Sequence, residues 1–302
     1  MTIKPPFFVC GYPRSGTTLL ATILNRHSAI TIPPETHFYR SYLPQYRNKK
    51  FQKDGDTYQA FLQYKRIRDL RLTPQDLALY EPLVRRREDL LEAALRAYAD
   101  KKSATLVGEK TPAHALYLDE IFTQFDGAKI IYIVRDGRDA VMSNILQSWA
   151  HQDPYKQAAE WAYFIRRSSK FVEKYGSKCI SLRYEDLVDQ TEMCVKRICN
   201  FLGVSFESSQ LEPSEGNDTV PRWELDWKEN AGSKVEQSNA YKWKTHPDAS
   251  LMRELTSIMY SGLKENSYYV SDSKVSVRRL HFYFPIYDTL KLIGRWARQL
   301  PH

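Results

Sequence analysis

GYPRSGTTLL (residues 11–20) keeps the glycine spacing of a nucleotide-triphosphate loop, with Gly11 and Gly16 separated by four residues, but puts Thr17 where that pattern carries its lysine. Upstream, PFFVC (6–10) is a short run of strand formers; downstream, Leu19, Leu20, Ile23 and Leu24 recur at helical spacing. The loop therefore joins a strand to a helix. In that geometry backbone N–H groups and the positive end of the helix dipole hold an anion, here through Ser15, Gly16, Thr17 and Thr18.

The same reading extends along the chain. KIIYIV (129–134) is apolar without alternation, as a parallel strand covered on both faces should be, and CISLRY (179–184) reads as a third strand. Helical stripes run over 140–150, 158–175 and 191–202. Strands alternating with helices predict an α/β fold: a P-loop-containing parallel sheet flanked by helices, with right-handed crossovers. Residues 37–103 lack strand signals and read as a helical insertion at the substrate side of the sheet.

Composition narrows the function classes. The chain has 302 residues, 42% of them apolar, and a formal net charge of +8. That is a globular chain with an anionic partner favoured, though charge alone does not choose among nucleotide, acidic lipid, acidic peptide and nucleic acid. The positive surplus is local: fifteen Lys/Arg stand against nine Asp/Glu from His37 to Lys102, and six against one from Lys274 to the end. The four cysteines form no CxxC pair and have no metal-ligand spacing. With no signal-peptide pattern and no run of roughly 20 apolar residues, the sequence-based expectation is a cytoplasmic protein.

The missing lysine changes the ligand. A kinase or ATPase loop uses it on the β- and γ-phosphates, with a strand-end carboxylate helping to hold Mg²⁺. Here the loop carries a different cation, Arg14, and the second strand runs into IVRDGRDAVMSN (133–144), placing Arg135 ahead of Asp136. Ser143 lies two helical turns beyond Asp136 and should face the same end of the sheet. A ligand with two separated anionic ends follows, one in the loop and one between Arg135 and Ser143, and an arginine at a strand end disfavours a metal.

These stretches resemble the sulfotransferases that use 3′-phosphoadenylyl sulfate (PAPS). GYPRSGTTLL is similar to their 5′-phosphosulfate loop and IVRDGRDAVMSN to their 3′-phosphate motif, with Arg135 and Ser143 at the matching positions. PPETHF (33–38), GEKTP (108–112) and RYEDLV (183–188) follow in family order. The match spans roughly residues 7–265, a single domain taken as 1–273, and is closer to the carbohydrate and tyrosylprotein branch than to the cytosolic steroid and phenol branch. It implies a sulfotransferase fold and PAPS as co-substrate, with adenosine 3′,5′-bisphosphate as product and no metal requirement. Lys110 is implied at the transferred group and bridging oxygen, with Arg14 beside it. Tyr184 is implied at the nucleotide, as are Ser233 and Lys234 in SKVEQSNAYKW (233–243). Glu35, held after Pro33 and Pro34, is implied as the general base, and His37 is the competing base. Glu109 reads as a structural ion-pair partner.

Two other functions remain open at this point: a nucleotide or small-molecule kinase with an altered loop, and a non-enzymatic module for acidic polymers or membranes. The acceptor is a hydroxyl or amine of unknown class, and nucleic acid is not expected. Beyond the resemblance, residues 274–302 carry Ile286, Leu290, Ile293 and Ala297 on one helical face, with Lys291, Arg295 and Arg298 elsewhere. That basic amphipathic segment is expected to dock on the domain or to touch a membrane surface.

Overall fold

The apolar run before the loop forms strand β1 (Phe7–Gly11), every residue of which is buried. The structure, a computed structural model, describes residues 4–46, 49–148, 150–212 and 240–270. Helix α1 (Thr17–Asn25) leaves the loop and returns the chain to a two-residue strand, β2 (Ile30–Thr31). The segment that lacked strand signals is helical in the structure. It comprises a π-helical turn (Phe38–Tyr42), α2 (Leu43–Tyr46), α3 (Gly55–Gln63), α4 (Lys65–Arg68), α5 (Pro74–Ala78) and α6 (Asp89–Lys101). Then come β3 (Leu106–Lys110), α7 (Leu118–Gln124), β4 (Lys129–Val134), α8 (Gly137–Ile145), α9 (Pro154–Tyr175) and β5 (Cys179–Arg183). Helices α10 (Tyr184–Asp189), α11 (Thr191–Leu202) and α12 (Ala249–Glu265) complete the described chain.

All strand pairings are parallel, in the order β2-β3-β1-β4-β5. Side chains alternate across the sheet and both faces are covered, as a parallel sheet requires. Phe8, Cys10, Ile130 and Tyr132 pack with α6, α9 and the aromatic residues of the helical insertion, while Phe7, Val9, Ile131 and Ile133 pack with α1 and α11. The insertion therefore covers one face of the sheet.

The sheet has two strands more than the three read from the sequence. β2 is too short to show a period, and β3 (LVGEK) carries Glu109 and Lys110 in a fully buried strand, where apolar residues would be expected. Tyr184 does not end β5 but opens α10. The helix expected over 140–150 runs from Gly137 to Ile145, started by the Asp136 carboxylate accepting the Arg138 N–H. The helix expected from Ala158 begins at Pro154, where Asp153 caps the Tyr155 and Lys156 amides and proline takes the first turn. The close approach of α8 to α9 depends on Gly137, where an added Cβ would stand 2.7 Å from the ring of the fully buried Trp161.

Among the described residues no helix is long and apolar enough to cross a membrane. The amphipathic segment 274–302 lies outside them.

Candidate active site

Each strand delivers a candidate site residue at or beyond its carboxyl end, the edge where parallel α/β sheets bind ligands. β1 runs into the loop, β2 is followed by Glu35, β3 ends in Lys110, β4 is followed by Arg135 and β5 by Tyr184.

The loop is tightly constrained. Gly16 sits at φ 89 immediately before α1, and a Cβ there would lie 2.4 Å from the Tyr184 ring, so glycine is required on both conformational and steric grounds. Arg14 is also left-handed, at φ 67. Its Nε donates to Ser143 Oγ at 3.2 Å, and Arg135 Nη1 donates to the Arg14 carbonyl at 2.9 Å. Burial lowers the Arg14 guanidinium below its ordinary value, and the charge of Arg135 pushes the same way. Two cations held this close favour an anion between or beside them. The Arg135 guanidinium also lies over the Tyr184 ring, 4.6 Å from its centroid, so Tyr184 braces both the loop and the arginine. Ser15 Oγ is buried in the loop without a hydrogen-bond partner, an arrangement suited to a ligand oxygen. Thr17 is buried at the start of α1, while Thr18 is half-buried.

The lysine absent from the loop has a counterpart on the neighbouring strand. Lys110, fully buried at the end of β3, places Nζ 3.4 Å from Thr18 Oγ1 and 2.6 Å from Glu35 Oε1. The other Glu35 oxygen, Oε2, lies 2.9 Å from His37 Nε2. Glu35 and His37 are 11% and 17% exposed, so their pairing is partly desolvated while each keeps some contact with solvent. The two residues proposed from sequence as rival bases are thus hydrogen-bonded to each other, and Glu35 alone also touches the lysine.

Glu109 faces the other way. Fully buried, it accepts from the Thr36 and Thr111 hydroxyls at 2.7 and 2.6 Å and from His114 Nδ1 at 2.7 Å. It serves as a buried acceptor for two hydroxyls and an imidazole, more contacts than the single structural ion pair expected from the sequence. Asp136 is likewise committed: Arg138 binds it through Nε at 2.9 Å and Nη2 at 2.7 Å. The strand-end carboxylate that a kinase reading would assign to a metal is therefore already held by an arginine.

A second set of contacts escaped the sequence reading. Arg138 stacks 3.4 Å from the Trp243 ring centroid and donates to the Tyr269 carbonyl, while Asp139 Oδ1 accepts the Trp243 N–H at 2.8 Å. Residues 240–270 are tied by these bonds to the strand end that carries Arg135. The buried arginine in VRDGRD was the available signal, since a second Arg three residues after Arg135 is costly to bury unless paired. Ser233 and Lys234 lie outside the described residues.

A family profile described as "Sulfotransferase family" matches residues 5–208. Among curated proteins, the chain is 26% identical over 218 residues to a putative protein-tyrosine sulfotransferase of Caenorhabditis briggsae, covering 69% of each chain. It is 26% identical to protein-tyrosine sulfotransferase 2 of Gallus gallus, covering 70% of this chain and 54% of that one, so it spans about half the length of the longer relative. The sulfotransferase domain from the Synechococcus PCC 7002 olefin synthase superposes with a TM-score of 0.63 at 22% identity, covering 90% of this chain and 98% of that domain. The sulfotransferase domain from the curacin biosynthetic pathway gives 0.61 at 21% identity, covering 90% and 100%. These two likenesses show the fold.

Proposed function

This chain belongs to the sulfotransferase family, and from that premise we propose that it transfers the sulfuryl group of PAPS to a hydroxyl or amine acceptor. The observation that supports this best is Lys110: with no lysine in the loop, a buried cation from β3 reaches Thr18 and at the same time contacts Glu35. A cation for the transferred group and a base for the acceptor thus meet at the mouth of an anion-binding loop.

In this reading the loop amides, Ser15, Gly16, Thr17 and Thr18 hold the 5′-phosphosulfate, and Arg135 with Ser143 holds the 3′-phosphate. Tyr184, and by resemblance Ser233 and Lys234, contribute to the nucleotide site. The acceptor oxygen attacks sulfur in line as the bond from sulfur to the bridging phosphate oxygen breaks. Glu35 takes the acceptor proton. Lys110 and Arg14 neutralise charge on the sulfuryl and departing phosphate oxygens, and adenosine 3′,5′-bisphosphate is released. The leaving phosphate is stabilised by these two cations, so the step makes no demand on a metal. Domain limits of 1–273 followed by an appended basic segment remain the working division.

Titration with adenosine 3′,5′-bisphosphate in the presence of chelator should raise the melting temperature, corresponding to about 2.7 kcal/mol at a hundredfold excess over Kd. Absence of that shift, together with a clear shift on adding Mg-ATP, would overturn the proposed reaction. Arg135→Ala should weaken the bisphosphate by about 1.5 to 3 kcal/mol, the range for a charged hydrogen bond, and should spare adenosine 5′-phosphate. Equal losses for both ligands would move the 3′-phosphate contact elsewhere. The acceptor itself is best found by screening hydroxyl and amine compounds with labelled PAPS and reading products by mass.

A further inference from the structure

His37 is a non-glycine residue at φ 49, in the left-handed region that L side chains rarely adopt. The surrounding hydrogen bonds explain how it persists. Three consecutive backbone N–H groups are pinned: Thr36 N–H donates to Glu109 Oε1 at 3.3 Å, His37 N–H to Thr111 Oγ1 at 3.1 Å and Phe38 N–H to Thr36 Oγ1 at 3.3 Å. Both threonine hydroxyls spend their single proton on the same oxygen, Glu109 Oε1, while His114 Nδ1 donates to Oε2. One carboxylate organises the whole turn.

Burial pushes the Glu109 carboxyl up, but His114 and the Thr111 and Thr36 hydroxyls more than offset it and hold the group below its ordinary value. Glu109 therefore stays ionised as a fixed acceptor. Its place in the chain gives this a consequence. Successive side chains in a strand point to opposite faces, so Glu109 and Lys110 are turned apart. Glu109 ties Thr36, the residue after Glu35, to Thr111, the residue after Lys110, and on the opposite side Glu35 meets Lys110 at 2.6 Å.

We propose that Glu109 is the positioning residue of this site, using Thr36 and Thr111 as its two arms to hold Glu35 against Lys110 and His37. The proposal rests on the roles assigned above to Glu35 and Lys110, but its geometry can be tested without turnover. The side chain of His37 reports it directly, because Nε2 lies 2.9 Å from Glu35 Oε2. In protein labelled with ¹⁵N-histidine, the His37 ring signals are assigned with His37→Asn, and Glu35→Gln defines their position when the carboxylate is lost.

Thr36→Val combined with Thr111→Val removes both hydroxyl arms with little change of shape. The His37 signals of this variant are expected to move at least half of the way to the Glu35→Gln position, whereas the paired Thr→Ser changes, which keep the hydroxyls, should leave them in place. If the double variant does not fold, Thr111→Val alone should move the signals in the same direction by a smaller amount. His37 signals that stay at the wild-type position in a folded valine variant with a lowered melting temperature would reduce Glu109 to a purely structural role and overturn the proposal. Calorimetry with adenosine 3′,5′-bisphosphate separates the two ideas. Binding within about threefold of wild type is expected in every variant, and a loss above tenfold in the valine variants would overturn the positioning role by showing that the donor loop had moved too. Failure of the wild-type protein to bind the bisphosphate would instead count against the donor assignment and leave the His37 result to decide the positioning role.

Discussion

Glu35→Gln should lower sulfuryl transfer by about 10² to 10⁴, the usual contribution of a general base, while leaving adenosine 3′,5′-bisphosphate binding unchanged. The amide is nearly the shape of the carboxylate. Its carbonyl can still accept from Lys110 Nζ and its NH₂ can donate to His37, the partners now at 2.6 and 2.9 Å, so the turn should keep its place and only the proton acceptor is lost. Labelled PAPS with the acceptor returned by the screen measures the rate, and calorimetry measures the binding. Full activity in Glu35→Gln, with the loss appearing in His37→Asn, would transfer the base role to the histidine. Comparable losses in both would instead indicate that the hydrogen-bonded pair acts as one unit, with His37 orienting the carboxylate.

Lys110→Met should reduce kcat by about 10² to 10³, the scale found when one donor to a developing charge is removed. Methionine fills much of the lysine's volume in a position that is fully buried, which limits cavity effects. It also leaves the Glu35 carboxylate without its cation at 2.6 Å, so part of the loss would reflect a disturbed base. The double variant Lys110→Met, Glu35→Gln separates these contributions. If the two residues act together, the combined loss should be much smaller than the product of the single losses. Strict multiplication would show that the contact between them has no part in the reaction, and a Lys110→Met enzyme within about threefold of wild type would remove the lysine from the mechanism.

The loop and the start of α8 were legible because their geometry is local. Gly11, Gly16 and the helical stripe from Leu19 to Leu24 specify a strand, a tight turn and a helix within about fifteen residues, and a helix start of that kind offers backbone N–H groups suited to an anion. Arg135 and Ser143 were legible for the same reason, being separated by two turns of a helix whose start is set by Asp136. The strand holding Lys110 was not legible, because LVGEK places a glycine and two charged residues in a fully buried segment and local preference argues against it. Only Glu109 and Lys110 finding partners on other elements makes that burial tolerable, and those partners lie 73 and 75 residues earlier in the chain, at Thr36 and Glu35.

The sequence by itself determined the fold class, the strand-loop-helix unit at Gly11 and Gly16 and a short set of candidate residues that includes Arg14 and Arg135, since periodicity, turn glycines and charge are properties of neighbours. It did not determine which of those residues touch. That Glu35 meets Lys110 as well as His37, and that Arg138 is spent on Asp136 and Trp243, depends on strand order. The order β2-β3-β1-β4-β5 sets β3 between β2 and the loop strand, and so brings the turn after β2 and the end of β3 to one side of the loop. Strand order is chosen by burial of both sheet faces and by the hand of the crossovers, which are properties of the whole chain, so the pairing of these side chains appears only when the sheet is assembled.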